Sequence, residues 1–80
     1  MKYPDGQDVR LGDKVCSGEN KEGLVVCSID TGEYSDAFSI AEWGYLKEGV
    51  LIDFPGSYGL IHYTKPDPDL RLVARANFAG

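Results

Sequence analysis

The sequence has little that reacts and little that spans or binds by charge alone. Its 80 residues hold two cysteines, Cys16 and Cys27, and one histidine, His62. Two cysteines are too few for the disulfide framework of a small secreted domain. They have no Cys-x-x-Cys spacing, so the low-pKa arrangement of thiol oxidoreductases is missing. No pair among cysteine and histidine has zinc-ligand spacing. The longest apolar run is Leu24 to Cys27, whereas a membrane-spanning helix needs about 20 residues. No charged-then-apolar leader opens the chain, since Met1-Lys2-Tyr3-Pro4-Asp5-Gly6 is already turn chemistry. These absences lead us to expect a cytoplasmic protein with free, buried thiols. Positive charge is also thin. Eight bases face thirteen acids, for a net charge of −5, and no two bases are adjacent. Nucleic-acid binders draw most of their affinity from clustered Lys and Arg, so neither nucleic acid nor an anionic membrane is an expected partner. An acidic protein suits a basic protein partner.

Length sets a further bound. A chain this short buries only about 60–65% of its unfolded surface, so one domain with a thin core is expected. A deep catalytic pocket is hard to fit beside such a core, and an obligate partner or a homodimer would add buried area. No repeat, linker or low-complexity segment divides residues 1–80.

What is present is strand and turn chemistry. Asp13 to Ser17 reads as a first strand, with Val9 and Leu11 tucking the preceding arm onto the fold. Gly18-Glu19-Asn20-Lys21 is a turn, and Gly23 to Asp30 is a second strand rich in β-branched residues. Strict alternation along it would place Leu24, Val26 and Ser28 on one face and Val25, Cys27 and Ile29 on the other. Thr31 to Asp36 reads as a loop. Ser39-Ile40-Ala41-Glu42 has capping-box spacing. Ile40, Trp43 and Leu46 then recur at intervals of three, which predicts one short helix over about Ile40–Leu46 with those three side chains buried. Val50–Phe54 alternates with Val50, Ile52 and Phe54 inward and Leu51 and Asp53 outward. Pro55-Gly56-Ser57-Tyr58-Gly59 is a hairpin turn leading to a strand at Leu60–Thr64. Lys65-Pro66-Asp67-Pro68-Asp69 is a rigid turn, followed by a last strand from Leu70 to about Ala76. Five short strands and one helix between the second and third predict a mainly β, five-stranded small barrel.

The run Val9-Arg10-Leu11-Gly12-Asp13-Lys14-Val15 with Gly23-Leu24-Val25-Val26 resembles the entry of Src-homology-3-like barrels of the KOW type. The later runs Gly49 to Phe54, Gly59 to Tyr63 and Asp69 to Val73 are also similar to small bacterial proteins of that shape that have no assigned function. The resemblance implies a fold rather than an activity. KOW-type barrels that bind RNA are basic, whereas this chain is acidic. The aromatic cluster that takes proline-rich peptides is not evident in these motifs.

Four constellations could carry chemistry. His62, with Asp53 on the facing strand, could form an acid–base pair of a small hydrolase; the plainer role is a half-exposed cross-strand pair. Cys16 and Cys27 could meet across the first hairpin in one register, or serve as small apolar core residues. Asp30, Glu33 and Asp36 place three carboxylates in one loop, but not at calcium-loop spacing. The aromatics point further. Tyr34 and Tyr58 fall in predicted loops near Asp36 and Glu42, and tyrosine and tryptophan anchor interfaces. Trp43 would either plug one end of the barrel or extend that patch. The expected function is therefore a non-enzymatic protein-binding module without a metal or cofactor. One form of it is an acidic inhibitor or immunity-type protein binding through Tyr34, Asp36, Glu42 and Tyr58. The alternatives are a nucleic-acid- or ribosome-associated barrel and the small hydrolase.

Overall fold

Val50-Leu51-Ile52-Asp53-Phe54 sets the frame of the molecule. Its inward residues Val50, Ile52 and Phe54 are completely buried, while Asp53 faces solvent. The computed structural model describes residues 1–18, 21–55 and 59–75. Its strands are β1 (Lys14–Ser17), β2 (Lys21–Ser28), β3 (Glu33–Tyr34), β4 (Val50–Phe54), β5 (Gly59–Tyr63) and β6 (Leu70–Ala74). All pair antiparallel, in the order β5-β4-β2-β1-β6, with β3 added on β2. Between β3 and β4 lies one turn of helix, α1 (Ile40–Trp43), continued by a 3-10 turn at Gly44–Leu46.

The fold is mainly β, as the sequence predicts, with two corrections. There are six strands rather than five, because Glu33 and Tyr34, read as loop, pair with Ser28 and Cys27. The helix therefore follows β3. Among the described residues the ladder is open, and no pairing joins β5 to β6. The sheet nevertheless curls strongly. Ile61 and Tyr63 from one edge strand and Leu70 and Leu72 from the other pack on the same core as Val15, Val25, Val50, Ile52 and Phe54.

Strict alternation in β2 fails at Val26. Val25 pairs with Ile52 but Cys27 pairs with Leu51, so Val26 is an extra residue in a β-bulge. A bulge bends its strand and re-aims the side chains beyond it. Val25 thus enters the first core, while Val26 and Cys27 both enter a second core with Ile29 and Leu51. Ser28 returns to the inner side opposite Val50. The second core lies on the outer face of β4 and is roofed by Tyr34, Phe38, Trp43 and Leu46.

Glycine is required at two close approaches. A Cβ on Gly23 would lie 2.7 Å from the Phe54 ring. Gly49 combines a φ of 92° with a Cβ position 2.1 Å from the Tyr63 carbonyl oxygen, space that no other residue can share.

The N-terminal arm is fastened by a buried carboxylate. Asp13 is fully buried. The Tyr3 hydroxyl donates to its Oδ2 at 2.6 Å and the Arg10 N–H donates to the same oxygen at 2.9 Å. Arg75 Nε faces Oδ1 at 3.3 Å. Burial, reinforced by the bond to Asp13, pushes the Tyr3 hydroxyl well above its ordinary pKa. Val9 is completely buried beneath the same arm, and its carbonyl accepts from Ser28 Oγ at 3.2 Å.

Candidate functional site

The short ladder between β2 and β3 places Tyr34 opposite Cys27. Its ring is half-buried and packs on the second core, so it is not the exposed loop residue predicted. Ser35 Oγ then donates to the Val26 carbonyl at 2.7 Å and fixes the turn that presents Asp36. A cleft of about 370 Å³ opens there, lined by Leu11, Leu24, Val26, Tyr34, Ser35 and Asp36. Its walls come from the N-terminal arm, from β2 at its bulge and from the segment after β3. Among the described residues no ion pair involves Asp36 or Glu42.

Glu42 is exposed on α1 and does not line this cleft. The expected apolar face of the helix is also only partly buried. Trp43 and Leu46 pack on the second core, but Ile40 is 66% exposed and Tyr45 69% exposed. The reason is the helix's length. One α turn followed by a 3-10 turn, ended by Lys47 at φ 69°, does not keep a single face toward the sheet. Ser39 makes no side-chain cap. Trp43 stacks beside Tyr45, with centroids 6.4 Å apart, and tilts against Phe38 at 5.6 Å. Trp43 therefore roofs the outer core and leads into an exposed aromatic rim instead of plugging the inner one. Tyr58 lies outside the described residues.

The other candidates are placed as follows. His62 sits opposite Leu51, and Asp53 sits opposite Leu60, so the two are diagonal in the hairpin. His62 Nε2 lies 2.8 Å from the Glu48 carbonyl oxygen. Cys16 pairs with Glu22 and Cys27 with Leu51 and Tyr34. Both thiols are free and buried. Five β2 positions separate Cys27 from the residue opposite Cys16, which is about 16 Å of strand, far beyond disulfide reach. Burial raises the Cys27 thiol above its ordinary pKa. The three carboxylates of one loop go three ways. Asp30 accepts from the Gly49 N–H at 2.9 Å and pairs with the amine of Met1. Glu33 pairs with Arg10 at 2.8 Å, and Asp36 faces the cleft.

A larger cleft, of about 510 Å³, runs over the outer face of the sheet along Lys14, Glu22, Leu24, Asp53, Pro55 and Val73. Sequence reasoning missed it. The signal was present in the outward apolar residues Leu24 and Val73, but which strands lie side by side cannot be read from spacing. Among the described residues no helix is long and apolar enough to cross a membrane. Comparison with known proteins gives no match: no family model, no curated protein and no solved structure is similar to this chain.

Proposed function

We propose that this chain is a non-enzymatic protein-binding module that takes a basic, partly apolar segment of a partner protein into the Tyr34–Asp36 cleft. The curled sheet, with β1 paired to both β2 and the last strand, supports reading it as a small Src-homology-3-like barrel. The observation that carries the function is the cleft itself. Apolar walls from Leu11, Leu24, Val26 and Tyr34 surround an Asp36 carboxylate with no ion-pair partner among the described residues. An apolar anchor of the partner would enter the cleft while an adjacent Lys or Arg meets Asp36. Glu42, beyond the rim, adds to steering rather than to the contact. Capping of a basic toxin or nuclease is one role that fits.

Nuclear magnetic resonance titration with a library of short basic peptides carrying one aromatic or aliphatic anchor tests this. Shift changes should centre on Tyr34, Ser35 and Asp36. Asp36→Lys, at an exposed position, should leave the fold intact and weaken binding about tenfold, a typical cost of an interface anchor. Shifts confined to another face, or indifference to Asp36→Lys, would overturn the proposal.

A further inference from the structure

The outer face of the sheet carries a row whose chemistry is its own complement. The registers Lys14↔Leu24, Leu24↔Asp53 and Asp53↔Leu60 align these side chains across β1, β2, β4 and β5. At the other end, the pairing of β1 with β6 shifts between Lys14↔Ala74 and Val15↔Leu72, leaving Val73 as the extra residue beside Lys14. The order across the face is therefore Val73, Lys14, Leu24, Asp53, Leu60. Leu24 is 44% exposed, Leu60 39% and Val73 61%, and these are three of the five exposed large hydrophobics among the described residues. Apolar exposure is thus concentrated on this row. Neither Lys14 nor Asp53 has an ion pair within the chain among the described residues.

We infer that this face is a two-fold interface between two copies of the chain. Strands lie about 4.8 Å apart, so Lys14 and Asp53 flank Leu24 at equal distances. A two-fold axis running along β2 over Leu24 puts Leu24 on Leu24, Lys14 of each copy on Asp53 of the other, and Val73 on Leu60. Within the row every apolar side chain then meets an apolar one and every charge its opposite, whereas Glu22, the next outward residue of β2, meets its own copy across the axis and weakens the pairing. A closed two-fold interface requires this self-complementarity. A basic peptide would meet Lys14 with like charge, so the row suits a second copy better than the partner proposed for the Tyr34–Asp36 cleft. The patch is only a few side chains wide, below the roughly 800 Å² per partner of a stable interface. The dimer is accordingly weak and reversible, forming at high micromolar concentration.

Sedimentation equilibrium of the full chain, from about 10 µM to about 1 mM, is the test. We expect a monomer–dimer equilibrium. Lys14→Glu alone and Asp53→Lys alone should each weaken it at least tenfold, because each creates two like-charge contacts. Mixing the two single variants should restore dimers, since every contact in the mixed pair again joins opposite charges. The double variant should also self-associate like the unmodified chain. Both positions are exposed, and a circular-dichroism spectrum of each variant checks its fold. A chain that stays monomeric at 1 mM overturns the inference, as does a dimer indifferent to these charges or single variants that fail to pair when mixed. Leu24 lines both surfaces, so a bound peptide and a second copy would compete for it, but neither Lys14 nor Asp53 lines the Tyr34–Asp36 cleft, so the charge variants report on the dimer and Asp36→Lys on the peptide.

Discussion

Glu33 is a carboxylate surrounded by donors. Arg10 Nε and Nη2 reach its two oxygens at 2.8 and 3.1 Å, and the Thr31 hydroxyl donates at 2.6 Å. The Arg10 guanidinium, against some desolvation, holds its carboxyl down to about 2 from an ordinary 4.5. The Gly49 N–H, with the Met1 amine, holds Asp30 down as well. A depressed folded pKa means that the unfolded chain takes up the proton first. The stabilisation is therefore complete above about pH 4.5 and is lost as pH falls toward 2. We expect the urea midpoint to drop between pH 5 and pH 2.5, and Glu33→Gln to make that drop shallower. A Glu33→Gln protein with an unchanged pH profile would contradict this assignment. The sequence shows Asp13 as a Gly-Asp corner but not as a buried anchor, because its partners Tyr3 and Arg75 lie 10 and 62 positions away. Spacing rules report neighbours along the chain and are silent about such partners.

Elements were legible in proportion to their regularity. The bounds and inner face of β4 were read correctly, because alternation over Val50–Phe54 puts three side chains in one core and leaves Asp53 in water, but Leu51, read as outward beside Asp53, is buried under the second core. β2 was located, and Val26 was rightly set with Leu24 opposite Val25, but its faces were misassigned from Cys27 onward, since the bulge at Val26 inserts one residue into a period of two. β3 was invisible, as two residues carry no period, and its pairing with Cys27 and Ser28 is what roofs the outer core. The junction of these elements is Gly49. Its carbonyl accepts from the Ile29 and Asp30 N–H groups, and its own N–H donates to Asp30. Gly49→Ala would force a Cβ onto the Tyr63 carbonyl at a positive φ. We expect a loss of about 3 kcal/mol or more in urea unfolding, combining backbone strain with overpacking. Gly32→Ala, at φ 71° with open space around it, should cost only the strain, about 1–2 kcal/mol. Equal costs at the two sites would show that the approach to Tyr63 is looser than described.

At the scale of the molecule, charge decides which partners can approach. The chain carries −5 overall, and several of its cations are committed internally. Lys2 pairs with Asp8, Arg10 with Glu33 and Arg75 with Asp13, while Arg71 donates to the Gly18 carbonyl at 2.8 Å. A cation already holding a carboxylate releases no counterion when a phosphate arrives, so it adds nothing to the salt-dependent term that drives nucleic-acid binding. Arg75 illustrates the cost: turning it outward would leave the fully buried Asp13 carboxylate without its counter-charge, held only by the Tyr3 hydroxyl and the Arg10 N–H. We therefore expect no binding of labelled single-stranded RNA or duplex DNA within the usual non-specific range of ~10⁻⁴–10⁻⁶ M at physiological salt, measured by fluorescence anisotropy. A basic peptide in the Tyr34–Asp36 cleft should behave oppositely, binding at that salt and more tightly as salt is lowered. Micromolar RNA affinity with a steep salt slope would reverse this ordering. It would require a basic face assembled from Lys14, Lys47 and Lys65, which lie on β1, after the 3-10 turn and after β5. Charge removal at those three lysines, leaving the internally paired cations untouched, would then abolish the binding.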